Sequence, residues 1–313
     1  MPLFDWPLSQ LREYRPALTR EPDFDQFWQR TLDQAMAPLE PQFTPADYPA
    51  RGLSVFDVRY TGWNGARIAG WYIKPQGNGP FPALAIYHGY SGSRAQPHNH
   101  FPWVAQGYAV FAVDTRGQSG ESTDPTVYSS GHVKGWMTAG VLDKEEYYYR
   151  GAYIDCVRAL DVLATRPEVD MARLGVTGGS QGGGLSLAVS ALDPRPKACM
   201  ADIPYLCHYE RAVDLAALMP YLEISDYIKI YPQRERQVFR TLSYFDNMNL
   251  APRNRSHVLM SVGLQDDCCP PSTIFAAYNH LTCNKELKIY RYHKHEDIPA
   301  HWAEKFAWAA KYV

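Results

Sequence analysis

Gly178-Gly179-Ser180-Gln181-Gly182 follows one apolar run, Leu174-Gly175-Val176-Thr177, and leads into another, Leu185-Ser186-Leu187-Ala188-Val189. The first run reads as a short buried strand and the second as a tightly packed helix, which puts the serine on a sharp strand-to-helix turn. A serine hydroxyl is a weak nucleophile at its own pKa; it needs a base to take its proton and donors to meet the developing oxyanion. Glycines on both sides remove the Cβ atoms that would collide as the chain reverses. The following helix aims its free N–H groups and positive dipole end at the new charge. Hydrolysis through Ser180 is the reading this predicts. The plain alternative is a glycine-rich helix start with a capping serine. A phosphate cradle is disfavoured, because no Lys-Ser/Thr pair follows the glycines and no Gly-x-Gly-x-x-Gly is present.

Outward from the turn, strand and helix patterns alternate. Leu84-Ala85-Ile86-Tyr87 and Ala109-Val110-Phe111-Ala112-Val113 read as buried strands. A helix is expected from about Lys144 to Thr165, with Tyr149, Tyr153, Val157, Leu160 and Ala164 along one face. Later strands are expected at 257–262 and 287–292, before a closing helix carrying Trp302, Phe306 and Ala309. Alternation of this kind predicts an α/β class with a mostly parallel central sheet flanked by helices. Residues 53–58 and 66–73, split by a Gly-Trp-Asn-Gly turn, read as antiparallel edge strands. Residues 1–50 form an N-terminal extension with a helical stripe of Phe24, Phe27, Trp28, Leu32 and Ala35. The aromatic, charged and proline-containing stretch 205–250 reads as inserted helices over the carboxyl edge of the sheet, where substrate pockets form.

Composition bounds the rest. A chain of 313 residues, 46% hydrophobic and 20% charged, can bury a large core as a single domain over 1–313. Its net charge of −2, from 31 basic and 33 acidic residues, and the lack of a basic-aromatic tract argue against a nucleic-acid partner. No apolar run is long enough to predict a membrane span. The start Met1-Pro2-Leu3-Phe4-Asp5 has neither the basic residues nor the hydrophobic stretch of a signal peptide, so a cytoplasmic place is expected. Six cysteines, Cys156, Cys199, Cys207, Cys268, Cys269 and Cys283, show no paired C-x-x-C framework and read as free thiols; the vicinal pair Cys268-Cys269 could alternatively form a redox couple. His98 and His100 lack a third ligand at motif spacing, so no metal is assigned to them.

A nucleophile needs a base and the base an orienting carboxylate. Asp266 follows the strand at 257–262 and His295 the strand at 287–292. The order Ser180, Asp266, His295 is the order of the α/β-hydrolase fold, each residue at the carboxyl end of an expected strand. Strand distance favours Asp266 over its neighbour Asp267. His293 and His301 compete with His295, and read better as surface or packing residues. His88 can equally be a histidine bonded to backbone.

The chain resembles the cephalosporin C deacetylases and acetyl xylan esterases of carbohydrate esterase family seven. The likeness rests on Arg116-Gly117-Gln118 with Ser122 nearby, on Gly178-Gly179-Ser180-Gln181-Gly182 and on His295-Glu296. It continues through Gly135-Trp136-Met137-Thr138, Tyr147-Tyr148-Tyr149-Arg150-Gly151, Pro270-Pro271-Ser272-Thr273 and 275–281, and so covers essentially the whole chain. The resemblance implies Ser180 as nucleophile, Asp266 as acid, in preference to Asp267, and His295 as base. It implies backbone amides of Tyr90 and Gln181 as the oxyanion hole, with Arg116, Gly117 and Gln118 bracing the site. It also implies an esterase acting on acetylated xylo-oligosaccharides and cephalosporin C, with no cofactor and no metal, in a ring-shaped homo-hexamer.

Two departures stand out. Lys294 precedes the histidine where the family commonly has glycine, which leaves a positive φ there unrelieved and puts an ammonium near the base. Cys268-Cys269 replaces less oxidisable neighbours of the acid. Trp136, Tyr205, Tyr209 and Tyr221 are expected either at a rim that packs on sugar faces or in core and subunit packing. A peptidase with the same triad would need a subsite for the peptide amino terminus or a large gating domain. A non-catalytic binding module on this fold would normally have lost a triad residue.

Overall fold

The computed structural model describes residues 5–313. Nine strands form one sheet: β1 Gln42–Pro45, β2 Leu53–Thr61, β3 Arg67–Pro75, β4 Phe81–Tyr87, β5 Ala109–Val113, β6 Val169–Gly179, β7 Ala198–Asp202, β8 His257–Gly263 and β9 Lys285–Tyr290. Their order is β1-β2-β3-β5-β4-β6-β7-β8-β9. Strands β1, β2, β3 and β5 pair antiparallel, and from β5 through β4 to β9 every pairing is parallel. This is an α/β-hydrolase fold. The antiparallel expectation for 53–58 and 66–73 holds, although β1 takes the edge outside them.

The helices are α1 Leu8–Glu13, α2 Phe24–Gln34, α3 Phe101–Ala105, α4 Tyr148–Ala164, α5 Gln181–Leu192, α6 Tyr209–Leu215, α7 Tyr221–Ile230, α8 Glu235–Ser243, α9 Asn247–Leu250, α10 Pro271–His280 and α11 His301–Tyr312. Every residue of α5 is buried. A helix apolar all round and packed on both sides is held by its neighbours rather than by an amphipathic stripe. Residues 205–250 contain α6 to α9, beside the carboxyl ends of β6 to β8. In the N-terminal segment, α2 buries Phe24, Phe27 and Trp28, and the Trp28 indole donates 2.9 Å to the Tyr244 carbonyl while its ring stacks on Tyr153.

Helix α4 starts at Tyr148 rather than near Lys144. Tyr147 is extended, and the Lys144 ammonium turns instead to Asp23 and Tyr244. It also lacks the one-sided face expected of it, since Tyr148 through Leu160 are all buried, Arg150, Asp155 and Arg158 included. These charges are paired inside: Arg158 donates to the Thr61 and Ala37 carbonyls, 2.8 Å each, which ties the N-terminal segment to α4. Strand β9 stops at Tyr290, two residues short of the expected 292.

Candidate active site

Ser180 joins β6 to α5 with φ 55° and ψ −118°, a region costly for any residue with a Cβ. The conformation is held from both ends: the Ser180 amide donates to the Asp202 carbonyl and the Ser180 carbonyl accepts from the Tyr205 amide, 2.9 Å each. A Cβ on Gly182 would drive into the carbonyls of Tyr87 and His88, so only glycine lets α5 close on the end of β4. Close approach here brings the β4 loop, His88-Gly89-Tyr90, over the turn. Neither the Tyr90 nor the Gln181 amide donates to a partner among the described residues, which leaves both N–H groups free at the head of α5.

The base and acid come from the next two strand ends. His295 Nε2 lies 2.8 Å from Ser180 Oγ, and His295 Nδ1 lies 2.8 Å from Asp266 Oδ2. Asp266 is fully buried and acceptor-only when ionised, so it fixes the proton on Nδ1 and leaves Nε2 to accept from the serine. Its other oxygen accepts from the amides of Cys268 at 2.9 Å and Cys269 at 2.7 Å. Burial lowers the pKa of His295, but the Asp266 and Cys268 side chains outweigh it, and the net shift is upward.

The two loops cross closely. A Cβ on Gly263, the last residue of β8, would meet the carbonyls of His293 and Lys294. Asp267 faces away, half-exposed, and its carbonyl accepts from the Ala217 amide at 3.0 Å. His293 bonds Glu296 at 3.1 Å, and His301 sits buried at the start of α11 with Nδ1 3.0 Å from the Tyr290 hydroxyl. Lys294 has no positive φ and its side chain is exposed, so neither concern raised by the missing glycine materialises. His88 is bonded to backbone on both nitrogens: the Thr115 amide donates to Nε2 at 2.9 Å and Nδ1 donates to the Gly89 carbonyl at 2.7 Å. His98 and His100 are likewise occupied, by the Tyr48 hydroxyl and the Arg94 carbonyl.

Arg116, Gly117 and Gln118 lie behind the turn. Arg116 is buried and donates to both oxygens of Asp155 on α4, at 2.6 and 2.9 Å, and to the Trp63 carbonyl at 2.9 Å. The Gln118 amide donates 2.9 Å to Gln181 Oε1, which also accepts from the Tyr149 hydroxyl at 2.9 Å. The side chain of Gln181 is thus immobilised, and with it the start of α5.

A cavity of about 410 Å³ opens against Ser180 and His295. Trp103, Trp302 and Ile203 give it apolar walls, while Asp202 and Lys305 give it charge beside the His301 ring. Lys305 donates 2.6 Å to Asp202 Oδ2, and His301 Nε2 lies 3.1 Å from Oδ1. Thr177 Oγ1 is buried there without a hydrogen-bond partner among the described residues. Of the two readings left open for the four aromatic residues, packing holds for three. Tyr205, Tyr209 and Tyr221 are entirely buried and pack on one another, because the inserted helices bring them under the site rather than around its mouth. Trp136 alone of the four stays half-buried, edge-on to Tyr90.

Sequence reasoning missed Glu223. Buried on α7, it accepts from the Tyr90 hydroxyl at 2.8 Å and from the Met137 amide at 3.0 Å, while the Trp136 amide donates to the same hydroxyl at 2.6 Å. No local pattern marks a glutamate for this; only its pairing with Tyr90, 133 residues away, does.

Comparison with known proteins gives the family. The chain superposes on the acetyl xylan esterase from Paenibacillus sp. R4 with a TM-score of 0.96 and 46% identity, over 98% of this chain and 100% of that one. Acetyl xylan esterase 1 from Thermoanaerobacterium sp. JW/SL YS485 gives 0.95 and 37%, over 98% and 99%. The acetyl esterase Axe7A of Xylanibacter ruminicola is 28% identical over 90% of this chain, which spans 65% of that longer protein. The model of the family described as acetyl xylan esterase (AXE1) matches residues 1–312, and the chain therefore belongs to the acetyl xylan esterase family, among the carboxylic ester hydrolases of the α/β-hydrolase fold.

Proposed function

We propose that this protein is a serine acetylesterase that removes acetyl groups from small acetylated sugars and related small molecules through an acyl-serine intermediate at Ser180. The observation that carries the reading is the unbroken line from Asp266 through His295 to Ser180, 2.8 Å at each step, ending on a hydroxyl in a strained turn. His295 takes the Ser180 proton as Oγ attacks the ester carbonyl. The amides of Tyr90 and Gln181 receive the oxyanion, His295 returns the proton to the departing alcohol, and water reverses the sequence to release acetate. Arg116, Gly117 and Gln118 hold the scaffold, and no step calls on a metal or cofactor.

The polar groups set among the cavity's apolar walls support a hydroxyl-bearing substrate. An alkyl chain buried there would leave the Thr177 hydroxyl unpaired beside the Asp202–Lys305 pair, whereas sugar hydroxyls could bond it and pack on the two tryptophans. Acetylated xylo-oligosaccharides and cephalosporin C are the proposed substrates, as the family likeness implies. We extend the likeness to a homo-hexamer, to a cytoplasmic place and to a single domain over 1–313, with 1–50 and 205–250 as its extension and insert. No described helix is long and apolar enough to cross a membrane.

The test compares matched acetyl, butyryl and octanoyl esters with acetylated xylobiose, cephalosporin C and an aminoacyl amide. Acetyl esters are expected to turn over fastest. Ser180→Ala should lose on the order of 10⁴-fold or more in kcat while keeping its circular-dichroism spectrum, and only the unmutated chain should take up an organophosphonate. Faster octanoyl or aminoacyl-amide hydrolysis would overturn the assignment.

A further inference from the structure

Beside the proposed triad lie two thiols that the esterase chemistry does not use, gathered on its histidine. The Cys268 and Cys269 sulfurs and a ring nitrogen of His295 all lie within 4.8 Å of one another, and among the described residues no other trio of His, Cys, Asp or Glu donors is so gathered. Both thiols are free. Cys269 is fully enclosed and Cys268 is 6% exposed, while His295 also lines the cavity. Their backbone is already fixed, because both amides point at Asp266 Oδ1.

We propose that Cys268, Cys269 and His295 form an inhibitory site for a soft divalent cation of the zinc and cadmium type. Two thiolates and one imidazole are the donors such ions prefer, and they bind at about 2.3 Å for sulfur and about 2.0–2.1 Å for nitrogen. Donors within 4.8 Å of one another need only side-chain rotation to close on one ion. Binding releases the two thiol protons and takes the lone pair of a neutral imidazole, with no change of oxidation state. The Cys268 thiol gives up its 3.2 Å hydrogen bond to the Met219 carbonyl in the process.

The cost to catalysis follows from the histidine. Both of its ring nitrogens are engaged, one with Asp266 and one with Ser180. An ion on Nε2 occupies the lone pair that accepts the serine proton; an ion on Nδ1 displaces the carboxylate that orients the ring. Either position stops turnover. Hard cations such as Mg²⁺ and Ca²⁺ prefer oxygen and have no claim on this set.

The experiment titrates the full chain, kept reduced by a phosphine, with Zn²⁺ or Cd²⁺. Binding is followed by calorimetry, and the cadmium–thiolate absorbance is recorded alongside acetyl-ester hydrolysis. One equivalent should bind, the thiolate band should grow with occupancy, activity should fall in step, and a chelator should restore it. Cys268→Ser and Cys269→Ser should each weaken the ion tenfold or more, inhibition being scored against each variant's own metal-free rate, since even outer-sphere partners cost roughly 10–100-fold in affinity. Should Cys269→Ser not fold, Cys268→Ser, whose thiol is the less enclosed of the two, carries the comparison. Ser180→Ala should still bind cadmium with the thiolate band, so the site is tested apart from the esterase reading. Binding without that band, equal inhibition of wild type and both cysteine variants, or equal inhibition by Mg²⁺ would overturn the proposal.

Discussion

At Asp266 one carboxylate holds three partners: His295 on one oxygen, the amides of Cys268 and Cys269 on the other. The two amides hold it in place, and its charge favours the protonated imidazole. The base must be neutral to act, so a His295 pKa above the ordinary histidine value means that kcat/KM rises with pH through a limb above about 6.5. Asp266→Asn removes the charge that raises that pKa. The limb should therefore move to lower pH, and kcat should fall by on the order of 10⁴-fold, as for a histidine left in the wrong tautomer. A pH–rate profile of both proteins checks this, and an unmoved limb would detach the shift from Asp266.

Among elements, the junction of α7 with the β4 loop matters most for the site. Glu223 joins the Tyr90 hydroxyl to the 135–137 loop, so the amide proposed as an oxyanion donor is positioned by a helix of the insert. Glu223→Gln offers its carbonyl to only one of these donors and turns an NH₂ group on the other. Full loss of an oxyanion donor costs roughly 10²–10³-fold in kcat, and a displaced donor should cost less, about tenfold, with KM little changed. Steady-state kinetics separates this from a purely structural effect, in which KM would rise and kcat would hold.

Across the whole molecule, Arg116 and Asp155 form the buried pair on which distant segments meet. Asp155 also accepts from the Trp63 amide at 2.7 Å, and Arg116 donates to the Trp63 carbonyl, so the β2–β3 turn, the loop after β5 and α4 share one charge pair. Removing one partner leaves the other charged and enclosed. Asp155→Asn should lower the unfolding free energy by about 3–5 kcal/mol, read from urea melts, whereas exposed Arg173, paired with Asp170, should tolerate alanine within about 1 kcal/mol. Equal losses in both variants would remove the pair from its central place.

The α/β architecture was legible in the chain because short apolar runs alternate with helical stretches and the turn at Ser180 carries its own glycines. Strand β7 was not, since Ala198–Asp202 holds no β-branched or aromatic residue to mark it as a strand. Helix α10 escaped because Pro270-Pro271 looks like a loop, although proline suits a helix start. Strand ends placed Asp266 and His295 near Ser180, yet only the folded chain brings the three side chains to 2.8 Å, a distance no spacing rule sets. The same holds for the aromatic residues. A sequence shows that Tyr205, Tyr209 and Tyr221 are large and aromatic, but whether they face solvent or core depends on what packs against them, and here they lie inside. Local chemistry thus determined the turn, the order of the reacting groups and the fold class. Contacts between residues remote in the chain decided the cavity lining, the support of Tyr90 by Glu223 and the gathering of two thiols on His295, because each depends on surfaces that exist only after the sheet has formed.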